Sequence, residues 1–184
     1  MTVWFTSDQH FFHANILTYC PNRIFPNVEE MNRGIIAGHN SVVMPDDEVY
    51  HVGDFSFREE HIRSILAQLN GTHYLVSGNH DKTFIKKDKL GASAKKYMGY
   101  GFRKIYNETY LNPFLINHFP YLMEGDSGHD ARYTQYRPVD KGSWLIHGHT
   151  HSTIAVSGRM INVGVDAWDC KPVSYNQLLN ITRV

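Results

Sequence analysis

Short apolar runs recur along this chain, and each breaks abruptly into a polar cluster. Residues 3–5 form a strand-like run that ends in Thr6-Ser7-Asp8, and residues 48–52 form a second, stopped by Gly53-Asp54. Residues 72–76 form a third, which delivers Ser77-Gly78-Asn79-His80. Further on, 109–111 and 114–116 flank Asn112-Pro113, with Asn117-His118 following the second of them. Residues 144–146 lead into His147, and 160–163 complete the strand candidates. Helical periodicity fills the gaps in the first half. Val28, Met31, Ile35 and Ile36 share one helical face, opened by Asn27 as a cap with Glu30 placed to reach back to it. Ile62, Ile65, Leu66 and Leu69 make a second stripe, ending at Asn70-Gly71. Ser174 and Gln177 spell a capping box for a last short helix. The glycine-bearing stretch 82–104 predicts loops and one short helix, and 125–138 predicts a long surface loop.

Strand and helix alternate first, and then strands dominate. The first half therefore predicts parallel βαβ units and the second half antiparallel pairing, together an α/β chain of two packed sheets with helices outside. No repeat, linker or low-complexity tract divides the 184 residues, so a single domain over 1–184 is expected.

Composition narrows the functional classes. Lys plus Arg and Asp plus Glu number 18 each, so no general electrostatic grip on nucleic acid or an anionic membrane is expected. No apolar run approaches the ~18 residues that suggest a membrane span, and no signal-peptide pattern precedes Asp8. The two cysteines, Cys20 and Cys170, lie far apart and read as free thiols of a cytoplasmic protein. The distinctive number is 12 histidines, because several follow strand ends.

Ligand sites in open α/β sheets form beyond the carboxyl ends of strands. Asp8, Asp54, Asn79, His118 and His147 all stand there, and none is cysteine. Mixed oxygen and imidazole ligands suit divalent manganese, iron, nickel or zinc better than magnesium alone. His51 and His73 read as satisfied sheet histidines, and His39 and His61 as surface residues. His13 and His151 trail motifs at the rim, as substrate contacts or supports. His129 reads as solvated. The lysines of 82–104 read as a solvated face or an anion-guiding rim; Arg132, Tyr133, Tyr136 and Arg137 offer a second rim suited to phosphate or a base.

The strings Asp8-Gln9-His10, Gly53-Asp54, Gly78-Asn79-His80-Asp81, His118 and His147-Gly148-His149-Thr150-His151, in that order, resemble the calcineurin-like metallophosphoesterase superfamily. Its pattern reads D-x-H, G-D, G-N-H-D/E, H and G-H-x-H. The tail, Asn162-Val-Gly-Val-Asp-Ala167 followed by Lys171-Pro-Val-Ser174, is similar to its small bacterial and phage members. The resemblance implies a four-layer α/β/β/α sandwich with two mixed sheets and two divalent metals, manganese foremost, about 3.5–4 Å apart. It implies a first metal on Asp8, His10, Asp54 and His149, and a second on Asp54, Asn79, His118 and His147. His80 would act at the leaving oxygen, with Asp81 orienting its ring. The implied activity is hydrolysis of a phosphate monoester or diester of a small phosphorylated compound, nucleotide or short oligonucleotide. A catalytically inactive or redox metal-binding member of the same fold is the alternative.

Overall fold

The computed structural model describes residues 1–85, 87, 91–122 and 133–183. Its elements run β1 (Val3–Thr6), α1 (Ile16–Tyr19), α2 (Val28–Asn40), β2 (Glu48–His51), α3 (Ile62–Leu66), β3 (Thr72–Val76), α4 (Ala92–Tyr100), β4 (Lys104–Tyr106), β5 (Glu108–Leu111), β6 (Phe114–Asn117), β7 (Trp144–His147), β8 (Val156–Ser157), β9 (Met160–Asn162), β10 (Val173–Ser174) and α5 (Tyr175–Ile181). Among the described residues, no helix is long and apolar enough to cross a membrane.

Two mixed sheets result. The first has the order β10-β1-β2-β3-β4 and the second β5-β6-β7-β9-β8. As the alternation predicts, β1, β2, β3 and β4 pair in parallel. The antiparallel expectation for the second half needs correction. In the second sheet the outer pairs β5–β6 and β8–β9 are antiparallel, but β6–β7 and β7–β9 are parallel; β10 joins the first sheet antiparallel to β1. The connections after β6 and β7 are too long for hairpins, and long returns favour parallel entry.

The alternation of buried side chains assigns the layers. Phe5, Val52, Val76, Phe114, Ile116, Ile146 and Ile161 fill the space between the sheets, with Leu178 of α5. Leu75 points the other way, into a core with Met31, Ile35, Ile62, Ile65 and Tyr97 of α2, α3 and α4. Leu115, Leu145 and Met160 gather around Tyr121. No residue of a named helix belongs to that last cluster, so a second helical layer is not among the described elements there.

Local chemistry sets the helix starts. The Asn27 side chain accepts from the Glu30 N–H at 2.8 Å. The Glu30 carboxylate pairs with Arg33 instead of reaching back, so α2 has a simple cap, not the expected box. The box at α5 does form: Ser174 Oγ accepts from the Gln177 N–H, and Gln177 Oε1 from the Ser174 N–H. The helix expected to end at Asn70-Gly71 stops at Leu66, and a 3-10 turn at Glu59–His61 precedes it.

Glu59 ties this turn to the chain after β3. Lys82 reaches one of its oxygens at 2.5 Å, while Lys96 and the Tyr100 hydroxyl reach the other at 2.7 and 3.1 Å. Both lysines remain solvent-exposed while making these contacts. Burial alone would raise the Glu59 carboxyl, but the Lys82, Lys96 and Tyr100 contacts outweigh it and hold the group at about 2, below its ordinary 4.5. A depressed carboxyl stabilises the fold above the unfolded value and loses that contribution as pH falls toward the folded value. Melting curves of wild type and Glu59→Gln should thus differ most above pH 4.5 and converge as pH approaches 2. A gap that stays constant with pH contradicts this linkage.

Candidate functional site: a cleft at the strand ends

The loops after β1, β2, β3, β6 and β7 meet at one end of the two sheets and are stitched together by their backbones. The Asp8 N–H donates to the Gly53 carbonyl and the His10 N–H to that of Asp54, both at 3.0 Å. The Gly148 N–H donates to the His118 carbonyl at 3.0 Å. A parallel bridge between Ser7 and Gly164 links the two sheets at this end.

These loops turn sharply. Asp8, His10, Asp54, His149 and His151 all adopt left-handed φ, between 49° and 70°. Asp and His tolerate that region better than branched residues, and its concentration here marks a site where position outranks local comfort. Two glycines make room. A Cβ on Gly53 (φ +93°) would lie 2.3 Å from His118 Nδ1, and one on Gly148 would lie 2.0 Å from Ser7 Oγ and 2.2 Å from Asp8 Oδ2.

The result is a cleft of about 710 Å³ lined by His10, His13, Asp54, Asn79, His80, His149 and His151, with Ile16, Tyr19 and Tyr133 at its sides. Its donor atoms converge. Asp54 Oδ2 lies 3.5 Å from both His10 Nε2 and His118 Nε2. His118 Nδ1 lies 2.8 Å from the Val52 carbonyl, so that nitrogen carries the proton and Nε2 keeps its lone pair. That lone pair faces Asn79 Oδ1 at 3.0 Å. On the other side, Asp8, His10 and His151 bring their ligand atoms within 4.8 Å of one another, and so do Asp8, Asp54 and His118. Asp8 Oδ1 and His10 Nε2 are buried with no hydrogen-bond partner. An orphaned buried polar atom costs roughly 1–3 kcal/mol. Lone pairs that face one another in a buried site are satisfied by a cation, so the residues present fit divalent metal ions.

The electrostatics agree. Burial lowers His10 well below the ordinary value, and neighbouring His151, Arg23, His80 and His13 add to it. Burial, with His118 and His151 nearby, brings His149 down to about 2. Burial raises the Asp54 carboxyl; His118 opposes this and Asp8 reinforces it. Neutral imidazoles keep their lone pairs free for a cation, and a cation beside Asp54 would offset the cost of its buried charge. His151 differs. Burial would lower it, but Asp166, Cys20 and Asp8 outweigh that and hold it at about 10. A cation on its Nε2 would take the place of a proton.

The sequence-predicted residues divide clearly. Asp8, His10, Asp54, Asn79, His118 and His149 come together. His147 is buried within electrostatic reach of Asp8 and His118, with its Nδ1 2.8 Å from the Gly148 carbonyl, and is not among the residues lining the cleft. His151 faces the cleft in its stead, its ring 5.0 Å from that of His10. His149, expected beside His10, stands instead beside His118, with ring centres 5.2 Å apart. His80 lines the cleft, 5.2 Å from the His10 ring. Asp81 does not orient that ring through a hydrogen bond. Its carboxylate is fully buried and accepts from the N–H groups of Asp54, Phe55 and Gly78 at 2.9, 3.2 and 2.8 Å, which shapes the loop carrying Asp54. His13 is at the rim, stacked on Phe57 at 4.2 Å. Arg137 is buried and donates to the Pro120 and Tyr121 carbonyls at 3.2 and 2.5 Å. Arg132 and His129 lie outside the described residues, as do Lys86 and Lys89.

The sheet histidines behave as expected: His51 lies 2.9 Å from Gln9 Nε2 and 3.1 Å from His73. His39 is buried rather than on the surface, 2.8 Å from the Asn70 carbonyl. Sequence reading missed Arg23, which binds the Asp8 and Gln9 carbonyls and Asp166. Lys87, read with the basic stretch as a solvated face or anion-guiding rim, donates its ammonium to the Asn79 carbonyl at 2.7 Å. Neither belongs to a motif, and contacts between residues so placed are visible only after folding.

No protein-family model matches the chain. It is 34% identical to the uncharacterized protein MJ1445 of Methanocaldococcus jannaschii, across 97% of this chain and 90% of that one. It is 32% identical to the gene 66 protein of Mycobacterium phage L5, across 90% of this chain and 86% of the phage protein. A solved protein of unknown function from Aquifex aeolicus, AQ665, superposes with a TM-score of 0.71 at 25% identity, covering 98% of each chain. With its strand-end cleft embedded in similarity that spans nearly its whole length, the chain belongs to one family with MJ1445 and the phage L5 gene 66 protein.

Proposed function

We propose that this protein is a metal-dependent phosphoesterase of the calcineurin-like type, working as a single domain over residues 1–184. The observation that carries this reading is the convergence of oxygen and nitrogen donor atoms on both sides of Asp54, with Asp8 Oδ1 and His10 Nε2 left without a hydrogen-bond partner on one of them. Asp8, His10, Asp54 and His151 would hold one divalent cation. Asp54, Asn79, His118 and His149 would hold the other. Bound together, two such ions supply an activated water and offset the charge of a phosphate. Manganese is the first candidate, with iron, nickel or zinc as alternatives.

The chain's own groups do the rest. His80 stands in the cleft beside His10 and is placed to donate a proton to the leaving oxygen or stabilise its charge. Asp81 and Lys87 hold the backbone on either side of it. The cleft of about 710 Å³ suits a small phosphorylated compound or nucleotide, with His13 and Tyr19 along its wall. The free thiols Cys20 and Cys170 accord with a reducing cytoplasm.

Removal and return of metal tests the reading. Chelator-treated protein is expected to lose cleavage of a chromogenic phosphate ester and to regain it with manganese, at two ions per chain by elemental analysis. Redox turnover without ester cleavage, or no metal uptake, would overturn it.

A further inference from the structure

Behind one side of the cleft lies an ion pair that no motif contains. The Arg23 and Asp166 side chains are 2% and 1% exposed. Arg23 Nε donates to Asp166 Oδ1 at 2.6 Å and Nη2 to Oδ2 at 2.8 Å. The same guanidinium reaches forward, with Nη2 donating to the Asp8 carbonyl at 2.5 Å and Nη1 to that of Gln9 at 3.1 Å. Asp166 Oδ2 also accepts from His151 Nδ1 at 3.1 Å. One buried pair thus grips both the loop bearing Asp8 and His10 and the ring of His151.

The consequences are geometric. Asp8, His10 and His151 all sit at left-handed φ, and the Arg23 bonds pin the first two by the carbonyls between them. The bond to Asp166 keeps a proton on Nδ1 and leaves Nε2 as the atom that would face a cation. Nε2 lies 3.9 Å from Asp8 Oδ1, itself an orphaned atom. On the opposite side of Asp54, His118 is held by the Val52 carbonyl instead.

A guanidinium so near a cation site would repel the ion, and Asp166 offsets that charge through both of its oxygens. The same occupancy argues against a third cation among Cys20, His151 and Asp166, whose ligand atoms also lie within 4.8 Å. An ion there would have to displace Arg23.

We propose that Arg23 and Asp166 are positioning residues for the Asp8–His10–His151 cation site, and that they set its affinity separately from that of the Asn79–His118–His149 site. The proposal rests on the two-metal reading above. A purely structural ion pair would weaken both sites together or neither.

The test is a titration of manganese into chelator-stripped full-length protein by calorimetry, with electron paramagnetic resonance of the bound ions. Wild type is expected to bind two ions that show a coupled-pair signal. Asp166→Asn should weaken one site by roughly 10–100-fold, leave the other within about threefold, and give an isolated-ion signal at low loading. Arg23→Lys should shift the same site in the same direction. Circular dichroism reports whether each apo variant folds. If Asp166→Asn does not fold, the double variant Arg23→Gln/Asp166→Asn removes both charges together and carries the same expectation. Equal loss at both sites, or unchanged affinities, overturns the proposal. Wild type that binds fewer than two ions refutes the two-metal reading, and the positioning role with it.

Discussion

Asp54→Asn is expected to lower kcat/KM for a phosphate ester by about 10³-fold or more, through the loss of several kcal/mol of charge stabilisation. The reason is its place between the two halves of the cleft. Asp54 Oδ2 is 3.5 Å from His10 Nε2 and 3.5 Å from His118 Nε2, and Oδ1 accepts from the His80 N–H at 2.8 Å. An asparagine fits the same volume and keeps the oxygen toward His80. Its amide then points two N–H groups at the two imidazole lone pairs. Those hydrogens occupy the direction a cation would use and remove a buried negative charge. The apo variant should therefore melt at or above the wild-type temperature while losing metal. Elemental analysis, melting curves and steady-state kinetics check all three expectations. A variant that keeps two ions and turns over within tenfold of wild type would falsify the bridging role.

His80→Ala is the second large effect. Turnover should fall roughly 10²–10⁴-fold, the range for losing a positioned acid–base group, while metal content stays at the wild-type level. Burial, Lys87 and His118 lower the His80 pKa, with Asp81 and Asp8 opposing, so the ring leans toward its neutral form near pH 7. A neutral imidazole still donates one N–H to a leaving oxygen. Truncation leaves the backbone in place, because the His80 N–H is bound to Asp54 and Lys87 donates to the Asn79 carbonyl. The loss should appear in kcat more than in KM, since the group acts on charge that develops only as the bond breaks. Unchanged kcat with intact metal content removes His80 from the chemistry.

Much of the scaffold was legible in the pattern of residues. The run Thr72–Val76 forms β3, and Ser174 with Gln177 caps α5. The face of α2 was also legible, and it held a signal that was passed over. His39 lies four residues after Ile35, on the buried stripe, which is why it packs inside rather than on the surface. The short strands β4, β8 and β10 carried too few residues to show alternation. β10 gains its place by pairing antiparallel with β1, a partner far away in the chain.

The order of residues alone determined that Asp, Asn and His would stand just beyond the strands, because apolar runs stop where Gly53, Gly78 and Gly148 begin the turns. It could not determine which histidine of His147-Gly148-His149-Thr150-His151 faces the cleft. That choice depends on the left-handed turns at His149 and His151, which swing both rings inward while His147 stays in the strand. Nor could it pair Arg23 with Asp166, which stand 143 positions apart. Local sequence encodes local geometry. The meeting of distant side chains is decided by how the two sheets pack, and only that packing makes a buried charge need its partner.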